Sequence, residues 1–219
     1  LRTEEMENKM GLLTVKNAEV HFNGCVVPKK NLLGRKGQGL NIAYSALIDG
    51  RLSVATGAVG VMEDCLQECI AHSKARSQHG SPLAKKQLIQ DHIARIASCI
   101  ASSRWLVYRA AAARQRLHEY VEGVESDRPS RLVRGNQEYA ALRREADALA
   151  AIAKFHASNC AFEAANSSVQ VFGSFGYRKT ARVARHFLDS RATTIYEGAN
   201  EVLKLKIASQ VLGDEYRAY

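Results

Sequence analysis

The sequence predicts an all-α fold, an up-down four-helix bundle preceded by a short β segment. Three observations carry this. Apolar residues recur at three-and-four spacing through three long stretches. Only Pro28, Pro82 and Pro129 interrupt the 219 residues, so long helices are free to form. Residues of high β propensity cluster before Pro28, in too short a run for an independent sheet.

Each element follows in order. Residues 12–27, from Leu12-Leu13-Thr14-Val15 to Cys25-Val26-Val27, read as one or two strands broken at Gly24. Gly34, Gly37 and Gly39 form a junction, which divides a β tail and linker (1–34) from a helical bundle (35–219). The first long helix carries Leu40, Tyr44, Leu47, Val54, Ala58, Met62 and Ile70 on one face. It is expected to stop near His79-Gly80-Ser81-Pro82, where Gly and Pro resist continuation. A second helix runs from about Leu83, with Ile89, Ile93, Ile96, Ile100 and Leu117 inward. After a break over 123–135, a third spans roughly Gln137 to Val171, its stripe including Leu142, Ala146, Leu149, Ala153, His156 and Cys160. His156 on that stripe reads as a hydrogen-bonded core histidine. A glycine-rich turn, Phe172-Gly173-Ser174-Phe175-Gly176-Tyr177, precedes a short helix near Ala181 to Leu188 and a last helix from about Gly198 to Gly213.

Composition narrows the function classes. Hydrophobic content of 46% and charged content of 24% fit a globular domain and exclude disorder. No apolar run reaches the roughly 18 to 20 residues that span a bilayer. An odd number of scattered cysteines suggests a reducing compartment. Cys65 and Cys69, one helical turn apart, read as small buried side chains, and no metal site is predicted. The net charge of +9 favours a polyanionic ligand: nucleic acid, a membrane surface or a phosphate-rich coenzyme. Aromatics are not interleaved with the basic residues, and Arg128, Arg131 and Arg134 sit beside Pro129 and Gly135 as in a solvated loop. Nucleic acid is therefore not the expected partner. The start at Leu1 and the missing strand partners suggest a fragment.

The residues with chemical potential lie at helix junctions. Glu197 stands between Tyr196 and Gly198 where the chain enters its last helix. It reads either as a general base aimed into a pocket or as a helix-dipole partner facing water. Asp49-Gly50-Arg51 places a glycine inside the first helix, at a cost of about 1 kcal/mol, as a surface ion pair or as a point of close ligand approach. Arg76-Ser77-Gln78-His79-Gly80 either complements a helix C-terminus or holds a pyrophosphate. Gln170-Val171-Phe172-Gly173 either reverses the chain or lets backbone approach a flat ligand. It does not follow a strand, so it is no dinucleotide fingerprint.

In combination these motifs become specific. Gly37-Gln38-Gly39-Leu40, Asp49-Gly50-Arg51, Arg76-Ser77-Gln78-His79-Gly80-Ser81-Pro82, Gln87-Leu88-Ile89-Gln90, Tyr108-Arg109-Ala110-Ala111, Gln170-Val171-Phe172-Gly173 and Ile195-Tyr196-Glu197-Gly198 occur in an order and at spacings that resemble the acyl-CoA dehydrogenase family. Lys9-Met10-Gly11 and Ala18-Glu19-Val20-His21-Phe22 resemble the end of its middle β domain. The resemblance covers nearly the whole chain and is to the C-terminal helical domain with the tail of the β domain.

The resemblance implies FAD-dependent oxidation of an acyl-CoA thioester to a trans-2-enoyl-CoA, with electrons passed to an electron-transfer flavoprotein. It implies Glu197 as the base that removes the α-proton. Some members carry the base just before the arginine matching Arg51, and that position is Gly50 here. Arg51, Asp49, Tyr196 and Gly198 then resemble substrate contacts. Arg76, Gln78, His79 and Gln87 resemble contacts to the FAD pyrophosphate and adenosine, across a subunit interface. Gln170, Phe172 and Gly173 resemble further FAD contacts from a neighbouring subunit, and Ala199, Asn200 and Glu201 the stretch beside the cofactor. A homo-oligomer (dimer or tetramer) formed through the bundle is implied, in the cytoplasm or, in a eukaryote, the mitochondrial matrix. The fragment alone is expected to be inactive. The sequence departs from the family at His79 (commonly Phe), Ala199 (a hydroxyl residue), Ile48 (an acid) and Ser209 (often Arg). The rival readings are a non-catalytic or DNA-associated relative of the same fold, and a flavin oxidase or monooxygenase.

Overall fold

Long unbroken helices dominate because the chain keeps proline and paired glycines out of its apolar-periodic stretches. The computed structural model describes residues 1–125, 136–216 and 218. The basic cluster Arg128, Arg131 and Arg134 lies outside the described residues. Helix α1 is Gly39–Ala75, α2 is Gln87–Glu125 and α3 is Gln137–Phe172. Two shorter helices follow, α4 at Arg182–Thr193 and α5 at Asn200–Leu212.

Contacts between side chains fix the directions. Asp49 of α1 meets Arg114 of α2, and Glu63 meets Arg104, so these helices are antiparallel. Arg51 of α1 bonds Asp147 of α3, and His72 stacks on Phe172 with ring centroids 4.1 Å apart, so α1 and α3 are parallel. Arg182 of α4 reaches Asp64 of α1 at 2.7 Å, while Lys206 of α5 pairs with Asp147 of α3. Both short helices therefore run down the bundle. Together they form its fourth leg, broken at residues 194–199. The predicted up-down four-helix bundle is the observed architecture.

The core is built on small residues. Ala146, Ala150, Ala153, Ala157, Ala161 and Ala164 of α3 are buried against Ala58 and Met62 of α1 and Ile96, Ile100 and Leu117 of α2. Alanine on several faces of one helix lets its neighbours approach closely. His156 bonds Ser102 Oγ at 2.9 Å, so it is hydrogen-bonded as expected, but it is half-buried at the edge of the core and not inside it. Cys65 and Cys69 are buried, and burial pushes the Cys65 thiol up to about 12.

Several boundaries differ from the sequence reading. Helix α1 ends at Ala75, before the expected Gly-Pro stop, because Ser77–Gln78 (β3) pairs with Ser81–Pro82 (β4) as a hairpin. His79 and Gly80 both take positive φ there (50° and 74°), the geometry of a tight hairpin turn. Leu40 and Tyr44, placed on the apolar face, are exposed, since the first turns of α1 extend beyond the core. The β segment is also displaced. Its strands are Arg2–Glu5 (β1) and Ala18–His21 (β2), antiparallel with Thr3 opposite Val20. The polar β1 pairs chiefly through backbone, with a His21–Glu4 side-chain contact at 3.9 Å beside it, and no alternation of side chains announced it. The segment is tied to the bundle at Gly11, where an added Cβ would come within 2.6 Å of the Leu188 carbonyl oxygen. Beside it the Leu12 N–H donates to Asp189 Oδ1 at 2.6 Å.

The alanine spine makes a clear expectation. Ala157→Leu should destabilise the fold by about 1–3 kcal/mol through overpacking, read as a lower denaturant midpoint at unchanged slope.

Candidate functional site

The break in the fourth leg is where chemistry collects. Residues 194–199 turn from α4 into α5, and Glu197 takes the left-handed region at φ 55°, followed by Gly198 at φ 95°. A non-glycine residue there costs on the order of 1–2 kcal/mol, so neighbours must hold it. Arg51, 6% exposed, donates from Nε to the Glu197 carbonyl at 3.3 Å and from a terminal nitrogen to Asp147 Oδ1 at 2.7 Å. Lys154, 0% exposed, donates from Nζ to the Gly198 carbonyl at 2.8 Å and to Asn200 Oδ1 at 2.9 Å. Two buried cations thus grip consecutive carbonyls. Asn200, 3% exposed, completes the clamp by donating to Ser158 Oγ and Asn159 Oδ1, each at 3.0 Å.

This clamp sets the Glu197 carboxylate directly on α1 at Gly50. A Cβ added to Gly50 would fall 2.2 Å from Glu197 Oε2 and 2.6 Å from Cδ. The helix-interior glycine is therefore explained by close approach of the acid. The carboxylate opens into a cleft of ≈ 390 Å³ between α1 and α4, lined by Gly50, Val54, Ala58, Val61, Tyr196 and Glu197 among others. Tyr196 is part of this wall, and burial, then the charge of Glu197, raise its pKa.

The other predicted residues divide into three groups. Gly198 joins the Glu197 loop, and Arg51 acts on that loop from the core side. Asp49 does not join it. Its carboxylate is held by both Arg114 Nε (2.6 Å) and a terminal nitrogen (3.0 Å), on the α2 side of α1, because it stands one residue round the helix from Gly50. In this structure its contacts are those of an interhelix ion pair. Asn200 is likewise turned inward, its amide engaged with α3. Ala199 is the N-cap of α5, with no side-chain cap bond, and Glu201 is exposed in its first turn.

Arg76, Gln78, His79 and Gln87 lie together at the far end of α1, with Gln170, Phe172 and Gly173 at the same end of α3. Arg76, Gln78, His79, Gln87, Gln170 and Gly173 are exposed, while Phe172 is half-buried on His72. One guanidinium, three amides and a hairpin turn suit a phosphate-bearing ligand by their donor chemistry. From Gly50 to Arg76 the helix rises about 39 Å. Within one chain, the acid and this cluster cannot close on the same end of one ligand.

Lys154, Asp147, Ser158 and Asn159 were absent from the sequence expectations. The signal was present: Lys154 stands at four-three-four spacing with Ala150, Ala157 and Ala161, a lysine on an apolar row. Burial first, then Arg51, lower its pKa from the ordinary 10.5 to about 8, with Glu201 and Glu197 opposing.

Two expectations follow. Ala199→Ser should cap α5 and stabilise the chain by about 1 kcal/mol, seen as a raised denaturation midpoint. Because the folded pKa of Lys154 lies below its ordinary value, the unfolded chain holds the extra proton between about pH 8 and 10.5. Stability from this group rises with pH across that window and is lowest below it. Melting curves should show the parent gaining on Lys154→Met between pH 8 and 10.

Comparison with known proteins agrees with this architecture. The family model described as acyl-CoA dehydrogenase, C-terminal domain, matches residues 37–126 and 131–212. The chain is 36% identical over 196 residues to a short-chain specific acyl-CoA dehydrogenase of Megasphaera elsdenii, covering 90% of this chain and 44% of that protein. A solved structure described as the electron transferring flavoprotein of Acidaminococcus fermentans superposes with TM-score 0.80 at 34% identity, over 96% of this chain and 49% of the other. An acyl-CoA dehydrogenase from Bacillus anthracis complexed with FAD superposes with TM-score 0.82 at 27% identity, over 96% of this chain and 35% of that one. The chain thus spans about half the length of the relatives it matches. By family match, sequence identity and shared bundle, it belongs to the acyl-CoA dehydrogenase family.

Proposed function

We propose that this chain is the C-terminal helical part, with the tail of the middle β domain, of an FAD-dependent acyl-CoA dehydrogenase, and that Glu197 is its catalytic base. One observation carries the reading: a carboxylate fixed in a left-handed turn, lying on a helix glycine at the wall of a largely apolar cleft. A proton bonded to carbon is a poor acid, so the base must be held within reach of it with little freedom to turn away. Gly50 supplies room for the carboxylate, and Arg51 and Lys154 supply the constraint on the backbone that carries it.

In this reading an acyl-CoA thioester enters the cleft with its Cα facing Glu197. Glu197 takes the α-proton as the Cβ–H pair leaves as hydride, and the trans-2-enoyl-CoA remains. FAD, when bound, supplies the acceptor for that hydride. Tyr196 and Gly198 flank the reacting carbons, and the apolar side chains of α1 exclude water. Arg76, Gln78, His79, Gln87, Gln170 and Gly173 hold phosphate and adenosine groups of the cofactor. Their distance from Glu197 supports a homo-oligomer in which a neighbouring subunit supplies that end of the site. An electron-transfer flavoprotein is the proposed electron acceptor. Five free cysteines support a reducing compartment, the cytoplasm or a mitochondrial matrix. Among the described residues no helix is long and apolar enough to cross a membrane.

The test uses the full-length FAD-loaded protein with a panel of acyl-CoA thioesters. The parent should lose its oxidised flavin absorbance on mixing with substrate. Glu197→Gln should still bind acyl-CoA and FAD but bleach at least about 10²-fold more slowly. Bleaching of the Gln variant at the parental rate would refute the assignment. The 219-residue chain alone should be inactive, since it spans only about half the length of its relatives.

A further inference from the structure

We propose that Lys154 is a positioning residue for Glu197, its buried ammonium pinning the Gly198 carbonyl and the Asn200 side chain so that the carboxylate stays over Gly50. The inference rests on the reading of Glu197 as the base, and it adds a residue that never touches the reacting atoms.

The geometry makes the case. Lys154 is a wholly buried lysine in a row otherwise filled by alanine, where an apolar residue would cost nothing in desolvation. Its Nζ spends two hydrogen bonds on the short turn that bears Glu197, at 2.8 and 2.9 Å. A left-handed Glu197 holds its place only while that turn is over-determined. Arg51 restrains the carbonyl before Gly198, and Lys154 restrains the next one. Removing Lys154 frees Gly198, the residue with the widest conformational choice in the turn. The carboxylate then swings away from Gly50 while the α1 side of the cleft keeps its shape.

Lys154 also acts through its charge. The groups facing it are Arg51 from α1, Glu197 from the turn and Glu201 from α5. Asp147 of α3 and Lys206 of α5 stand behind Arg51 as a second ion pair. Glu201 and Glu197 favour the charged lysine, while burial and Arg51 oppose it. Burial brings the lysine's own titration down to about 8, so the charge on Nζ, and with it the hold on the turn, weakens as pH rises through that value.

The experiment compares four full-length, FAD-loaded proteins: parent, Glu197→Gln, Lys154→Met and Lys154→Gln, with butyryl-CoA as the probe. Single-turnover flavin bleaching is followed from pH 5.5 to 9, and hydrogen exchange of the turn amides is measured without substrate. Lys154→Met should bleach about 10²-fold more slowly, bind butyryl-CoA nearly as tightly as the parent, and lose the alkaline limb, the decline in rate that the parent shows as pH rises through about 8. Its 195–200 amides should exchange faster while α1 to α3 stay protected. Lys154→Gln, a neutral donor, should recover part of the rate yet show no decline as pH rises through about 8. If Lys154→Met fails to fold, Lys154→Gln decides by the same limb. A parental rate and limb in the folded lysine variants would overturn the proposal, as would a slower rate with the limb unmoved, which marks a purely structural lysine. A fast Glu197→Gln would instead overturn the base assignment, so the two failures are distinguishable.

Discussion

The grip of two buried cations on adjacent backbone carbonyls is the constraint on which the site depends. Arg51 and Lys154 are on different helices, and both spend their charge on one turn. Burying a cation is costly unless its hydrogen bonds are made with good geometry. Here Asp147 neutralises Arg51, and Asn200 takes the remaining reach of Lys154. The network is therefore closed, with α1, α3 and α5 each contributing. A closed buried network has few alternative arrangements, and its members polarise one another. That is what lets a strained residue such as Glu197 persist at a break in a helical leg.

The bundle makes this possible by being thin at its centre. Alanine rows on α3 bring α1, α2 and the broken fourth leg close together, and Gly50 removes the last side chain between α1 and the turn. A larger residue at any of these points would lengthen the distance that the two cations must span. Close packing also explains why α4 and α5 can be short. Arg182 and His186 tie α4 to Asp64 of α1, and Lys206 ties α5 to Asp147, so neither helix relies on its own length for stability.

The sequence displayed the scaffold because periodicity is a property of every residue in a helix. It displayed Glu197 and Gly50 because a helix glycine and an acid beside a glycine are unusual locally. It gave no notice of the Asp49–Arg114 pair, since adjacency in sequence to Gly50 puts a side chain some 100° around the helix, towards Arg114. It gave no notice of Lys154's role, because the partners of that lysine are carbonyl groups, and every residue carries one. The N-terminus of α5 shows the opposite case. Ala199 stands where the family has a hydroxyl residue, and the structure places it at the N-cap of α5 with no side-chain cap bond. Strand β1 was missed for the reason that hides Lys154: its pairing is made chiefly by backbone.

On the proposed reading of a site shared between subunits, the span between Gly50 and the Arg76 hairpin has a genetic consequence. In an assembly where each catalytic centre draws its acid from one subunit and its phosphate-binding end from another, defects at the two ends are separable. Mixing subunits altered at Glu197 with subunits altered at Arg76 creates some centres with both defects and others with none. Two inactive alleles can then complement each other in one cell, whereas two alleles damaged at the same end cannot.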